Sequence, residues 1–200
     1  MQNNNNNTSF LNNFNILNNK YFLILCLNIK KRTNQNYISN TLFLGYKYNY
    51  LILNINILIK TLKQILNLIE NITSNNGNIL FLYTRNKILN YLLQKNCIYK
   101  NVSYLSNFTE KQQNILTYLD KFPDLIISLD YQVNAIFLNK ISIFNTPIIC
   151  ITDMLNTNII TKQMYYLLIN NKSLYINILL IYIFFNSIQN NKKNLGTLFL

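Results

Sequence analysis

Two aspartates stand where they could do chemistry. Asp130 closes the apolar run Leu125–Leu129, and Asp153 follows the run Ile148–Ile151. If the runs are neighbouring strands, both carboxylates lie at carboxyl ends, where α/β sheets place their ligand sites. Paired there, they could hold Mg²⁺ in a phosphotransfer site. Their plainer role is to cap the helix or turn that follows. Thr84-Arg85, behind another apolar run, could bind a phosphate at a helix start. The remaining catalytic groups are missing. The chain has no histidine for general-base work and no Gly-rich phosphate loop. Cys26, Cys97 and Cys150 are far apart, and without histidine a tetrahedral zinc site lacks ligands. The expectation is therefore no catalytic residue, no metal, no cofactor and no small-molecule substrate. Cys26 and Cys150 read as buried small hydrophobes, and all three thiols as free in a reducing compartment.

The elements that must position these groups are legible from spacing. The runs before Asp130 and Asp153 are short and apolar but for Ser128, which suits strands buried on both faces. Pro123 and Pro147 mark where they start. Between them Val133, Ile136, Phe137, Ile141 and Phe144 make one apolar stripe of a helix. The unit is a β-α-β crossover. Upstream, Leu51–Leu58 reads as the first buried strand, interrupted by Asn54 and Asn56. A helix over Ile59–Thr73 then puts Leu62, Ile65, Leu66 and Ile69 on one face. Asn75-Asn76-Gly77 ends it, with glycine the natural left-handed residue and asparagine the next best. A strand over Ile79–Tyr83, a helix over Asn86–Lys95 with Ile88, Leu89 and Leu92 inward, and a short strand near Val102–Leu105 follow. After the crossover come a strand near Tyr166–Ile169 and a helix over Ser173–Ile188. Such alternation predicts an α/β fold: a doubly wound, mostly parallel sheet in three layers, flavodoxin-like or Rossmann-like. Few glycines serve the turns, so asparagine is expected to replace them at positive φ.

An ordered set of these motifs resembles the S-two family of small-subunit ribosomal proteins. The set comprises Phe122-Pro123-Asp124 before Leu125–Leu129 and Asp130, then Thr146-Pro147 before Ile148–Thr152 and Asp153. Gly77 with the strand to Thr84-Arg85 resembles the family's "Gly, apolar strand, Gly-Thr-Lys". Lys60-Thr61 resembles its "Lys-Thr". Ile169-Asn170-Asn171-Lys172-Ser173 stands where the family has "Ile-Pro-Gly-Asn-Asp-Asp", and Tyr104–Thr109 resembles a worn "Arg-Trp-Leu-Gly-Gly-X-Leu-Thr-Asn". The resemblance spans Asn40 to Ile188. The family inserts a long helical hairpin before its Pro-Asp strand. Here only Glu110–Phe122 is left for it, about 20 Å of helix at ~1.5 Å per residue. The hairpin is expected to be missing or reduced to one helix.

Composition and charge bear on the partner. The chain favours Asn, Ile, Leu, Lys, Tyr and Phe, whose codons are A/T-rich, and arginine occurs only at Arg32 and Arg85. Drift in an A/T-rich genome explains this, and organelle genomes are among these. The start, Met1-Gln2 then Asn3–Asn7, does not resemble a transit peptide. The formal net charge is +12, from 18 basic and 6 acidic residues over 200. Such an excess needs an anionic setting, for which RNA, DNA and a membrane surface are candidates. The resemblance favours RNA and implies a structural constituent of the small subunit of a mitochondrial ribosome, or alternatively a plastid one. It also implies a place near the junction of head and body, beside ribosomal proteins five and eight. Expected rRNA contacts are Lys30, Lys31, Arg32, Lys47, Arg85, Lys87 and Asn107. The rival readings are a small organelle-encoded membrane-associated protein and a Mg²⁺-dependent phosphotransfer enzyme using Asp130 and Asp153. For the first, the run Leu174–Phe185 is shorter than the ~20 apolar residues of a span, so a helix buried on the sheet is expected. Residues 1–20 are expected to form an Asn-rich low-complexity tail, residues 21–190 one α/β domain and residues 191–200 a C-terminal tail.

Overall fold

The computed structural model of the chain describes residues 29–30, 43–47, 50–100, 102–106, 121–153 and 164–196. The chain divides into two compact units, 1–57 and 58–200. In the first, β1 (Ile29–Lys30), β2 (Phe43–Lys47) and β3 (Tyr50–Leu53) form an antiparallel sheet in the order β1-β3-β2. Gly45 sits at an irregularity in the β2–β3 register with φ +152°, a conformation open to glycine because it has no Cβ. The expected strand Leu51–Leu58 is thus cut short, and its partners are antiparallel. Asn54 is the reason. Its side chain accepts a hydrogen bond from the Asn56 backbone N–H at 3.1 Å, which is an N-cap, and helix α1 (Ile55–Ser74) starts there.

The second unit is built on five parallel strands. These are β4 (Ile79–Leu82), β5 (Ser103–Leu105), β6 (Leu125–Ser128), β7 (Ile148–Thr152) and β8 (Met164–Leu168), in the order β5-β4-β6-β7-β8. Helix α2 (Lys87–Lys100) links β4 to β5, and α3 (Tyr131–Ile141) links β6 to β7. Helix α4 (Leu174–Gly196) follows β8 and runs past its expected end at Ile188. Counted from β4, this is the 2-1-3-4-5 order of a doubly wound sheet. The expected α/β three-layer fold is the fold observed.

Strand alternation explains the layers. Every residue of β4, β6 and β7 is buried, as apolar runs between two helical layers must be. Leu80, Leu82, Ile126, Ile148 and Cys150 face α3 and pack on Phe137, Leu138 and Ile141. Phe81, of opposite parity, stacks on Phe185 of α4 with ring centroids 4.8 Å apart, and α4 also packs on α2. Helix α1 buries Leu58, Leu62, Ile65, Leu66 and Ile69, which is the expected stripe extended by one turn. Helix α4 buries Ile176, Leu180, Ile181, Phe184 and Ile188, so its apolar run faces protein. No helix among the described residues is long and apolar enough to cross a membrane.

Two stripes are rotated from expectation. In α3 the buried face is Tyr131, Asn134, Phe137, Leu138 and Ile141, while Ile136 and Phe144 are exposed. Asn134 goes inward because its amide has carbonyls to bond, which hydropathy cannot register. In α2 Leu89, Leu93 and Cys97 are buried and Ile88 is exposed. Asparagine does serve the turns, since Asn76 and Asn145 take φ 57° and 58°. The expected helix over Glu110–Phe122, the Asn-rich tail and the run Tyr21–Leu27 lie outside the described residues, save Lys121 and Phe122.

Candidate functional site

Residues that follow the strands converge at the carboxyl edge of the parallel sheet. Neighbouring strands β4 and β6 send their crossovers in opposite directions, to β5 and to β7. Such a reversal marks the usual ligand position in doubly wound sheets. A cavity of about 250 Å³ lies at this edge, bordered by Thr84, Arg85, Asp130, Asp153, Lys172 and Asn177 among others.

The β4–α2 turn is pinned by side-chain amides. Asn90 accepts the Thr84 backbone N–H at 2.7 Å and the Thr84 hydroxyl at 3.0 Å, and its Nδ2 donates to the Thr84 carbonyl at 2.7 Å. Asn86 accepts the Ile88 N–H at 2.9 Å and so caps α2. Buried Asn134 donates to the carbonyl of Tyr83 at 2.8 Å and to that of Asp130 at 3.0 Å. One amide thereby ties the ends of β4 and β6 together.

This framework holds Arg85 and Asp130 as a two-point pair. Arg85 Nε donates to Asp130 Oδ2 at 2.7 Å and Nη2 donates to Oδ1 at 3.0 Å. Nη2 also reaches Gln132 Oε1 at 3.3 Å. The Asp130 side chain is 8% exposed and that of Arg85 62%, so the carboxylate is enclosed and the guanidinium faces solvent. The hydrogen bond to Asp130 raises the Arg85 pKa above the ordinary arginine value; desolvation opposes this, and the charges of Asp130 and Asp153 add to it. Asp130 occupies the N-cap position of α3, but its side chain makes no capping hydrogen bond. Its oxygens are turned to Arg85 instead, so the expected capping role is replaced by an ion pair.

Asp153 ends β7 on the same edge, with Lys172 Nζ 4.0 Å from its Oδ2. Lys172 lies in the β8–α4 turn, where Asn170 Oδ1 accepts its backbone N–H at 3.2 Å. Asn177, in the first turns of α4, donates from Nδ2 to the Asn171 carbonyl at 2.8 Å. Its Oδ1 is buried and has no hydrogen-bond donor among the described residues. Among the described residues the site therefore carries two carboxylates, two cations and one unmatched amide oxygen. No group of three or more His, Cys, Asp or Glu residues is placed to hold a metal ion among the described residues.

The expected contacts are split by this arrangement. Arg85 borders the cavity, and Lys87, the exposed first residue of α2, follows two residues on. Lys30 and Lys47 belong to the antiparallel sheet, where the register sets both opposite Tyr50 on its two sides. Lys31, Arg32 and Asn107 lie outside the described residues. Asp130 and Asp153 do share the edge, as the strand reading required. Lys172 and Asn177 were not among the expected site residues. The one sequence signal that could have found Asn177 is its polarity inside the apolar run Leu174–Phe185. No protein-family model matches the chain, and no curated protein is significantly similar to it.

Proposed function

We propose that the chain is a structural, rRNA-binding component of the small subunit of an organellar ribosome, of the S-two kind, in mitochondria or plastids. The observation that carries this reading is the position of the resembling motifs on one sheet. Gly77 precedes β4 and Thr84-Arg85 follows it; Pro123-Asp124 precedes β6 and Asp130 follows it; Pro147 precedes β7 and Asp153 follows it. The motifs thus recur at equivalent strand ends, in the order in which the resemblance requires them.

The basic excess supplies the physical mechanism. Lysines displace counterions from phosphates, and asparagine and tyrosine add hydrogen bonds and stacking. Lysine is a point charge without the fork of arginine, so affinity comes from many weak contacts. Arg85 contributes least to this general attraction, because Asp130 already offsets its charge. Neighbouring ribosomal proteins complete the setting.

Sedimentation of an organellar lysate through a sucrose gradient tests the reading. The chain should co-migrate with small-subunit rRNA into the monosome fractions and be progressively released as salt rises. A pool that is free at every salt concentration, or found in the membrane pellet without rRNA, would overturn it.

A further inference from the structure

We propose that the outer face of the helix pair α2 and α4 binds single-stranded RNA, with bases stacked on Tyr91, Tyr175 and Tyr182 and phosphates on Lys87 and Lys95. This deepens the rRNA-binding reading and rests on it for the source of the RNA.

The two helices pack against each other, and each leaves a stripe in water. In α4 the residues from Leu174 to Ile188 include two exposed ones, and both are tyrosine: Tyr175 at 83% and Tyr182 at 64%. They stand two turns apart on one side of the helix, about 10 Å along its axis. In α2 the stripe runs Lys87, Tyr91, Lys95, all exposed and each one turn from the next. A ring thus lies between two cations, about 6 Å along the axis from each. Among the described residues these three tyrosines stack on no other ring and their hydroxyls have no hydrogen-bond partner.

The charge of the pair is one-sided. Helix α2 carries three lysines and α4 two, and neither helix has an acidic residue. Among the described residues Lys87 and Lys95 have no carboxylate within ion-pair distance, unlike Arg85 and Lys172. Unpaired cations beside open aromatic rings suit a nucleic acid strand, whose phosphates neutralise the lysines and whose bases cover the rings. The tyrosines select the strandedness. A duplex keeps its bases stacked on one another and offers its backbone, whereas a single strand can lay them on a side chain. A protein partner fits less well, because it needs a contiguous apolar centre. The exposed Ile88 and Ile98 of α2 are about 15 Å apart along the axis, with Tyr91 and Lys95 between them.

Anisotropy titration of the full chain with a labelled single-stranded oligoribonucleotide of about twelve nucleotides, and with an RNA duplex of the same length, tests this. The single strand should bind about ten-fold more tightly than the duplex, and Tyr91→Ala should remove about that factor. Tyr91→Phe keeps the ring and should bind as the unchanged chain does. Lys87→Gln combined with Lys95→Gln should lower the slope of log affinity against log salt by about 1.4, the share of two phosphates. All these side chains are exposed, so urea midpoints should not move and a loss of binding belongs to the face. Equal affinity for strand and duplex would overturn the proposal. Single-strand binding unmoved by Tyr91→Ala and by the lysine pair also overturns it, and leaves the rRNA reading to sedimentation. Variant-sensitive binding by a chain that sediments free of rRNA at every salt concentration keeps the face and removes the ribosomal reading. Binding to phosphatidylserine vesicles and to no RNA, lost in the same variants, would overturn the proposal in favour of a lipid surface.

Discussion

Arg85 and Asp130 are unequal partners, and the inequality is measurable. The carboxylate is enclosed and the guanidinium is in water. Removing the arginine leaves a buried charge without its donor, while removing the aspartate leaves a cation that water can solvate. Arg85→Ala should therefore destabilise the fold by about 2–3 kcal/mol, and Asp130→Asn by about 1 kcal/mol. Urea unfolding of the two variants and of their double checks the order, and equal costs would refute this account of the pair. At this scale the sequence was partly legible. Asp130 and Asp153 could be brought to one edge because each follows a strand, and strand ends are countable from apolar runs. The Arg85–Asp130 pair was not legible, since two residues 45 positions apart meet only once the strand order is known. Asn134 and Asn177 were hidden for a different reason. Hydropathy places asparagine outside, and only the carbonyls around a particular asparagine can bring it in.

At the scale of elements, the end of α1 is defined by backbone bonds rather than by composition. The Gly77 N–H donates to the Ile72 carbonyl at 2.8 Å and the Asn76 N–H donates to the Thr73 carbonyl at 3.1 Å, with Asn76 left-handed. That is a Schellman cap with asparagine in the usual glycine place. Gly77 is needed for a separate reason. A Cβ there would stand 2.6 Å from Ile72 Cγ2 and 3.0 Å from the Ile72 carbonyl oxygen. Gly77→Ala should cost about 1–3 kcal/mol through overpacking, and Asn76→Ala about 1 kcal/mol through the left-handed backbone. Asn76→Gly should be tolerated. Denaturant midpoints of the three variants provide the check. The sequence pointed to the right tripeptide and assigned the left-handed turn to the wrong member of it. It also read Asn54 as an interruption of a strand, when that residue begins α1. A polar residue inside an apolar run looks the same in either role until its side-chain partner is seen.

For the whole molecule, the parallel sheet and the burial of both its faces followed from alternation, and the strand order and the placement of the cations did not. Net charge describes a sum, and here the sum of +12 coexists with a cavity whose own charges balance. Alkaline stability is a second property of the whole. Burial pushes the thiols of Cys97 and Cys150 up to about 12. In the unfolded chain a thiol titrates near ~8.5. The unfolded state therefore loses protons first, and stability falls as pH rises between these values, by up to about 1.4 kcal/mol per pH unit for each thiol. Below ~8.5 this contribution is fully present. Urea midpoints at mildly and strongly alkaline pH should show the fall, and replacing both cysteines with alanine should flatten it. An unchanged slope in that variant would assign the loss to other groups.

The cap at the end of α1 also has a consequence for how the protein ages. Asn-Gly is the dipeptide most prone to deamidation, because the glycine nitrogen attacks the asparagine side chain and closes a succinimide. In the Asn76-Gly77 pair that nitrogen is engaged with the Ile72 carbonyl. Attack requires the hydrogen bond to break and the last turn of the helix to open. Isoaspartate at position 76 would thus accumulate at a rate set by fraying of α1, and a slow chemical modification would record how often that helix end lets go.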